Sequence, residues 1–205
     1  MNIENYLDKR KTMISIKRFE MEFVLRPQNL CEHGHGTATL FYLFCKEFGV
    51  EINEDILFIL MNHDFAETFT GDMNRLIRNK NEKTKEAWSV LEEETLPEEL
   101  KPWSDKGIEN ILTEDQLLLF KLSDEMEAYL YCFEEHTLGN RYIYGPIERY
   151  AQILSSRIIE CEKKFNKGRE FWEGRLGIHG LYPTEKPKYE GKPVTPDIRE
   201  EKSNE

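Results

Sequence analysis

The vicinal pair His63-Asp64 offers two hard, charge-complementary ligands from a single turn of backbone. His33 lies thirty residues upstream of it and Asp124 sixty downstream. Together the four side chains form a donor set of two nitrogens and two carboxylates. Such a set suits a borderline divalent metal and leaves coordination positions open for water and substrate. The alternative for each is a polar group hydrogen-bonded between helices. Glu67 follows Asp64 by three residues. On a helix both would project to one side, so that one could ligate while the other handles the proton of a water. Its alternative is a surface glutamate. Arg18 and Arg78 are candidate phosphate partners by charge, with a solvated arginine as the other reading of Arg78. His35 cannot share a target with His33, because positions two apart on a helix face nearly opposite ways. It reads as a satisfied, partly buried histidine, and His136 and His179 as exposed ones.

These residues need helices to position them, and the pattern is nearly all helical. A first helix is expected over about Ile3 to Ile16, leaving Arg18 in the loop that follows. A second runs from about Glu32 to Phe48 and ends at Gly49, with His33 in its first turn. A third, from Asn53 to Asn62, has Asn53 as cap and an apolar body (Ile56, Leu57, Ile59, Leu60), and it delivers His63-Asp64 at its C-terminal end. A short helix carries Glu67 and breaks at Gly71. A charged amphipathic helix over Lys80 to Thr95 turns Trp88 and Leu91 inward. Pro97 and Pro102 bracket a turn-like segment. Thr113 and Gln116 form a capping box for a helix reaching Glu135. On that helix Leu117, Phe120, Asp124, Ala128 and Tyr131 share one face. Asp124 therefore sits in an otherwise apolar stripe. A lone buried carboxylate costs several kcal/mol unless it is paired, protonated or bound to metal. A structural ion pair with Lys or Arg is the other solution. A last helix, Pro146 to Phe165, buries Ile147, Tyr150, Ile153, Leu154 and Ile158.

The 205 residues are enough for one domain with a substantial core. That domain is expected over residues 1–178. From 179 to 205, prolines alternate with Lys and Glu, which predicts an extended, disordered polar tail. The net charge is −11, from 28 basic and 39 acidic residues. It argues against binding of polymeric nucleic acid, yet allows a local basic pocket for one phosphate. Cys31, Cys45, Cys132 and Cys161 show no CxxC pairing and read as free thiols in a reducing compartment. The N-terminus lacks the charged and apolar regions of a signal peptide, and no apolar run reaches membrane-spanning length. The expected location is cytoplasmic.

In order along the chain stand Arg18-Phe19, Glu32-His33, His63-Asp64-Phe65-Ala66-Glu67, Thr70-Gly71-Asp72 and Lys121-Leu122-Ser123-Asp124. This series resembles the HD-domain phosphohydrolases, in particular their YfbR-like 5′-deoxynucleotidase branch, over about residues 5 to 165. The resemblance implies an all-α HD-domain helical bundle. It implies a divalent metal (Co, Mn or similar) held by His33, His63, Asp64 and Asp124, with Glu67 as the catalytic carboxylate. Arg18 would bind the phosphate, Asp72 would read the sugar hydroxyl, and Phe19 would line the sugar pocket. The expected substrate is a small-molecule nucleotide, a deoxyribonucleoside 5′-monophosphate, and the expected assembly is a homodimer. A triphosphohydrolase on the same HD core is the alternative, for which Arg75 and Arg78 would supply charge. A third possibility is a catalytically silent HD module that binds a partner. Three positions depart from the family pattern: Phe19 stands for a tryptophan, Gly34-His35-Gly36 for a better helix former, and Met73-Asn74-Arg75-Leu76 for a proline-containing segment.

Overall fold

The computed structural model describes residues 3–73, 75–78 and 81–176. Among these residues ten α-helices follow one another: α1 (Ile3–Ser15), α2 (Leu30–Phe48), α3 (Glu54–Met61), α4 (Glu67–Thr70), α5 (Arg75–Arg78), α6 (Glu82–Thr95), α7 (Asp105–Ile111), α8 (Glu114–Thr137), α9 (Tyr144–Phe165) and α10 (Arg169–Leu176). Two 3-10 turns intervene, His63–Ala66 and Glu98–Trp103. No strand occurs among the described residues. The nearest thing is an isolated antiparallel bridge between Lys17 and Asn29, which closes the loop carrying Arg18. No described helix is long and apolar enough to cross a membrane.

The helices start where side chains can satisfy their first backbone N–H groups. Asn29 and Glu32 make a reciprocal capping box on α2, and Thr113 and Gln116 make another on α8. Asn53 accepts from the Ile56 amide at 2.9 Å to open α3. Gly49 ends α2 as expected. The long helix α8 runs through the middle, packed on one side against α2 and on the other against α9. Phe41 and Phe44 of α2, Leu119 and Leu122 of α8, and Leu154 and Ile158 of α9 form the main core. Trp172 of α10 is fully buried in it, with its ring 6.3 Å from Phe44 and 5.7 Å from Phe48.

A second cluster, with Met13, Leu30, Phe65, Leu96 and Trp103, lies beneath the turn that carries His63-Asp64. The Phe65 ring meets Trp103 edge-on at 4.9 Å, which pins that turn from below. A third cluster of Ala128, Tyr131, Ile143 and Tyr150 holds Phe19 and Val24 against the bundle.

Some expectations need correction. α7 and α10 lie where the sequence pattern indicated none. Leu91 points outward, 43% exposed; the side chain buried one residue on is Glu92, which accepts from the Trp88 indole N–H at 2.8 Å. His35 is exposed rather than partly buried, because α2 turns it away from both packed neighbours. His136 is half-buried rather than exposed, with its ring 4.7 Å from Tyr144. The segment 179–205, including His179, lies outside the described residues, as does Asn74.

Candidate active site and metal centre

His33 is buried in the first turn of α2, on the side that faces α3 and α8. The next residue is what lets those helices meet. A Cβ on Gly34 would stand 2.2 Å from the carbonyl oxygen of Met61, the last residue of α3. Only a glycine allows the α2 backbone to approach that carbonyl. The result is a His33 ring centroid 5.0 Å from that of His63. α3 stops at Asn62, whose amide donates to Phe58 O at 2.8 Å while its carbonyl oxygen accepts from Tyr6 Oη at 3.3 Å. The chain then tightens into the 3-10 turn, with Asp64 off helical geometry at φ −86° and ψ 16°. That kink turns both His63 and Asp64 toward α8, where Asp124 sits mid-helix.

His63 Nδ1 donates to Leu60 O at 2.8 Å, which assigns one proton to Nδ1 and turns Nε2 inward. His33 Nε2 lies 2.9 Å from Asp124 Oδ1 and 3.6 Å from Asp64 Oδ2. His63 Nε2 lies 3.2 Å from Asp64 Oδ1 and 3.8 Å from Asp124 Oδ1. The ligand atoms of His33, His63 and Asp64 all fall within 4.8 Å of one another. Buried His63 Nε2 nonetheless makes no hydrogen bond. An orphaned imidazole nitrogen between two carboxylates and a second imidazole fits a divalent cation, and the mixed nitrogen–oxygen donor set is of the right kind. The electrostatics agree. Burial works against charge on His63, but Asp64, Asp124 and the Leu60 carbonyl outweigh it and lift its pKa to about 9. Burial likewise opposes ionisation of Asp64, yet His63, His33 and Arg18 hold its pKa below the ordinary value. The pocket is built to keep a positive charge.

A cavity of about 1200 Å³ opens over this centre, with Arg18, His63, Asp64, Glu67, Asp72 and Asp124 in its lining. Glu67 begins α4, the turn after Asp64, and its buried Oε2 has no partner. Burial, then Asp64 and Asp72, push its pKa well above the usual carboxylate range; Arg18 pulls the other way and Glu92 adds to the rise. Asp72 is raised too, by burial against Arg18 and with Asp64. Arg18 Nη1 stands 3.9 Å from Asp64 Oδ2, buried and without a hydrogen bond. Burial opposes its charge, but Asp64, Tyr150, Asp124 and Glu127 together outweigh burial and the guanidinium is held firmly protonated. Phe19 adopts φ 59°, a left-handed conformation that is uncommon for a bulky residue and is held here by packing. Its ring stacks on Tyr131 at 5.0 Å and meets Tyr150 edge-on at 6.0 Å. Arg78 also lines the cavity, but its guanidinium is ion-paired with Asp105.

His33, His63, Asp64 and Asp124 are thus brought together, with Arg18, Glu67 and Asp72 in the lining of the cavity over them, while Arg78 is tied elsewhere. Glu127 was not anticipated. It bonds His33 Nδ1 through Oε2 and accepts from Gln28 Nε2 at 2.6 Å through Oε1. Its spacing of three from Asp124 on α8 was the available signal, since the two share a face.

The bundle and its His-Asp centre define the HD-domain phosphohydrolase class. A Listeria innocua HD-domain phosphohydrolase superposes with a TM-score of 0.63 at 20% identity, covering 86% of this chain and 89% of that one. The cyanophage S-2L HD phosphohydrolase DatZ, solved with dA and one catalytic Zn²⁺ ion, gives 0.54 at 18% identity, over 78% and 96% of the two chains. Within that class the chain belongs to the YfbR-like 5′-deoxynucleotidase family, which it matches over residues 5–166. A 5′-deoxynucleotidase of Enterobacter sp. (strain 638) is 28% identical over 158 residues, 71% of this chain and 79% of the relative. The 5′-deoxynucleotidase YfbR of Salmonella arizonae is also 28% identical over 158 residues, 69% and 78% respectively.

Proposed function

We propose that this protein is a metal-dependent phosphomonoester hydrolase that converts deoxyribonucleoside 5′-monophosphates and water to deoxynucleosides and inorganic phosphate. One observation carries the reading: three buried polar atoms without hydrogen-bond partners, Arg18 Nη1, His63 Nε2 and Glu67 Oε2, belong to side chains lining one cavity. A cation donor, a metal ligand and a proton acceptor are left unsatisfied together, as a phosphate ester, a metal and a water would require.

His33, His63, Asp64 and Asp124 would hold a divalent cation, whose contribution is Lewis acidity toward water and the phosphoryl group. Glu67 orients the attacking water and takes its proton; a cation held at Asp64 favours the ionised form of Glu67 that this requires. Arg18 binds the phosphate and offsets charge as the bond from phosphorus to the 5′ oxygen breaks. Asp72 accepts from the 3′-hydroxyl. Phe19, locked in place by Tyr131 and Tyr150, limits room at the 2′ position.

The state of the cavity's other cations favours a monophosphate. Arg149 pairs with Glu22 at 3.1 Å, Arg157 with Glu125 and Lys121 with Glu109 at 3.0 and 2.9 Å, and Arg78 with Asp105. Each has a carboxylate partner away from the His-Asp cluster, whereas the nearest carboxylate to Arg18 is Asp64 of that cluster, at 3.9 Å; Lys85 lies exposed on α6. Intact ligands beside Glu67 argue against a silent module. The same reading carries a homodimer, measurable by light scattering, and a cytoplasmic location, with which four free cysteines are consistent. The test is a product screen over deoxy- and ribonucleoside mono-, di- and triphosphates with Mn²⁺, Co²⁺ and Mg²⁺. Orthophosphate from deoxynucleoside monophosphates is expected. Release of tripolyphosphate from triphosphates alone would replace this reading with the triphosphohydrolase.

A further inference from the structure

We infer that Glu127 is a positioning residue that fixes His33 for the metal and, through Gln28, ties the loop bearing Arg18 to the same carboxylate, so that cation binding and order in that loop are coupled. The inference rests on His33 as a metal ligand and Arg18 as the phosphate-binding group.

Three observations carry it. Glu127 Oε2 bonds His33 Nδ1, which fixes the ring so that Nε2 is turned toward Asp64 and Asp124; a proton held on Nδ1 by Glu127 would free Nε2, now bonded to Asp124 Oδ1 at 2.9 Å, for a metal. Carboxylates in this position orient ligating histidines and raise their basicity. The other oxygen of the same carboxylate accepts from buried Gln28 at 2.6 Å, and the Gln28 backbone carbonyl accepts from the Arg18 N–H at 2.8 Å. An unbroken chain of contacts therefore runs from the metal-facing imidazole to the backbone of the phosphate-binding arginine. The third observation comes from α2. A Cβ on Gly36 would stand 2.8 Å from Glu127 Cγ, so this glycine clears the space in which the carboxylate lies. The helix-weakening Gly34-His35-Gly36 segment is thus explained at both glycines: one admits Met61, the other Glu127.

The experiment uses the full chain stripped of metal, with Mn²⁺ as probe. Affinity is read by chelator competition and loop order by hydrogen exchange over residues 17–29. In the parent, saturating Mn²⁺ should slow exchange across that loop. Glu127→Gln should weaken Mn²⁺ binding about 10- to 100-fold. Gln28→Ala should keep Mn²⁺ affinity within about threefold, since it touches no ligand, but abolish the slowing of loop exchange. Gly36→Ala keeps every polar group and favours the helix, yet should weaken Mn²⁺ binding severalfold by displacing Glu127. It serves if Glu127→Gln fails to fold, because a merely structural role would not lose affinity in a better helix former. Parental Mn²⁺ affinity in Glu127→Gln or Gly36→Ala overturns the positioning role. A loop that Mn²⁺ leaves unchanged in the parent, or slows equally in Gln28→Ala, overturns the coupling. A parent that binds Mn²⁺ but does not hydrolyse dAMP refutes the proposed substrate and leaves these readouts intact; one that binds no metal refutes both.

Discussion

The floor of the cavity and the wall around it are built by different means. The floor takes its four proposed ligands from α2, α8 and the turn after α3, and two of the supporting helices carry full capping boxes. Its imidazoles are oriented by a backbone carbonyl and a carboxylate. The part of the wall that carries Arg18, Phe19 and Glu67 is made of short pieces: the four-residue helices α4 and α5, and a loop in which Phe19 takes a left-handed backbone. The contrast separates two tasks. The buried His-Asp cluster is backed by long, packed helices. The groups proposed to touch the variable part of a substrate sit on segments that can change without disturbing the core.

The largest predicted effect tests the floor. Asp64→Ala and Asp124→Ala should each lose bound metal and all hydrolysis, since each removes both a ligand and a charge. Metal analysis of the purified variants checks this, and full occupancy in Asp124→Ala would take Asp124 out of the centre. Next comes the boundary between floor and wall. Glu67→Gln should retain metal and nucleotide but lower kcat by about 10²-fold or more. Parental turnover would remove Glu67 from the reaction.

A third prediction uses the raised pKa of His63, about 9. Metal binds only the neutral imidazole, and below that value the proton must leave first. Apparent Mn²⁺ affinity should therefore rise about tenfold per pH unit toward pH 9 and level off above it. A flat profile between pH 6 and 8 would contradict the cation-trapping electrostatics. Fourth, Gly34→Ala must push α2 off the Met61 carbonyl. We expect about 1–3 kcal/mol of destabilisation from overpacking, read by denaturant unfolding, with weaker Mn²⁺ binding as the histidines separate. Unchanged stability would mean the crossing can relax. The smallest effect belongs to the wall. Phe19→Ala should lower the ratio of kcat/KM for dAMP over AMP by about three- to tenfold, with metal affinity intact. An unchanged ratio would assign sugar discrimination to Asp72 alone.

The same division decides what could be read from the sequence. The clustering of the floor was legible because His33 and Asp124 fall on capped, periodic helices and His63-Asp64 directly after a third: Asp124 stood out as a carboxylate in an apolar stripe, and His63-Asp64 followed the end of α3 at Asn62. The wall was legible only in part. Arg78 could be named by charge, but its capture by Asp105 depends on a contact 27 residues away. α10 was missed because Trp172 belongs to the core through Phe44 and Phe48, more than a hundred residues earlier, and nothing in its own short segment shows that. Leu91 was taken as buried because its spacing from Trp88 put both on one face. The buried position went instead to Glu92, whose hydrogen bond to the Trp88 indole admits a carboxylate that hydrophobicity alone would exclude. Glu127 lay within reach of the spacing argument, and only its partner His33, 94 residues away, gives it meaning.

The crowding of acids around this cavity also bears on how long the protein survives. Asp64, Glu67, Asp72 and Asp124 line one cavity, with Glu127 behind His33, and such a group of acids repels itself. A divalent ion that binds the folded chain and not the unfolded one stabilises it by about 2.7 kcal/mol at a hundred times its dissociation constant. The ion would then act as a fastener as well as a reagent. Chelation should lower the melting temperature by several degrees, and an unaltered melting curve would refute this. Where divalent metal is scarce, the unfastened chain would populate unfolded states more often and meet proteases more readily, so metal supply would govern the amount of this protein in addition to its rate.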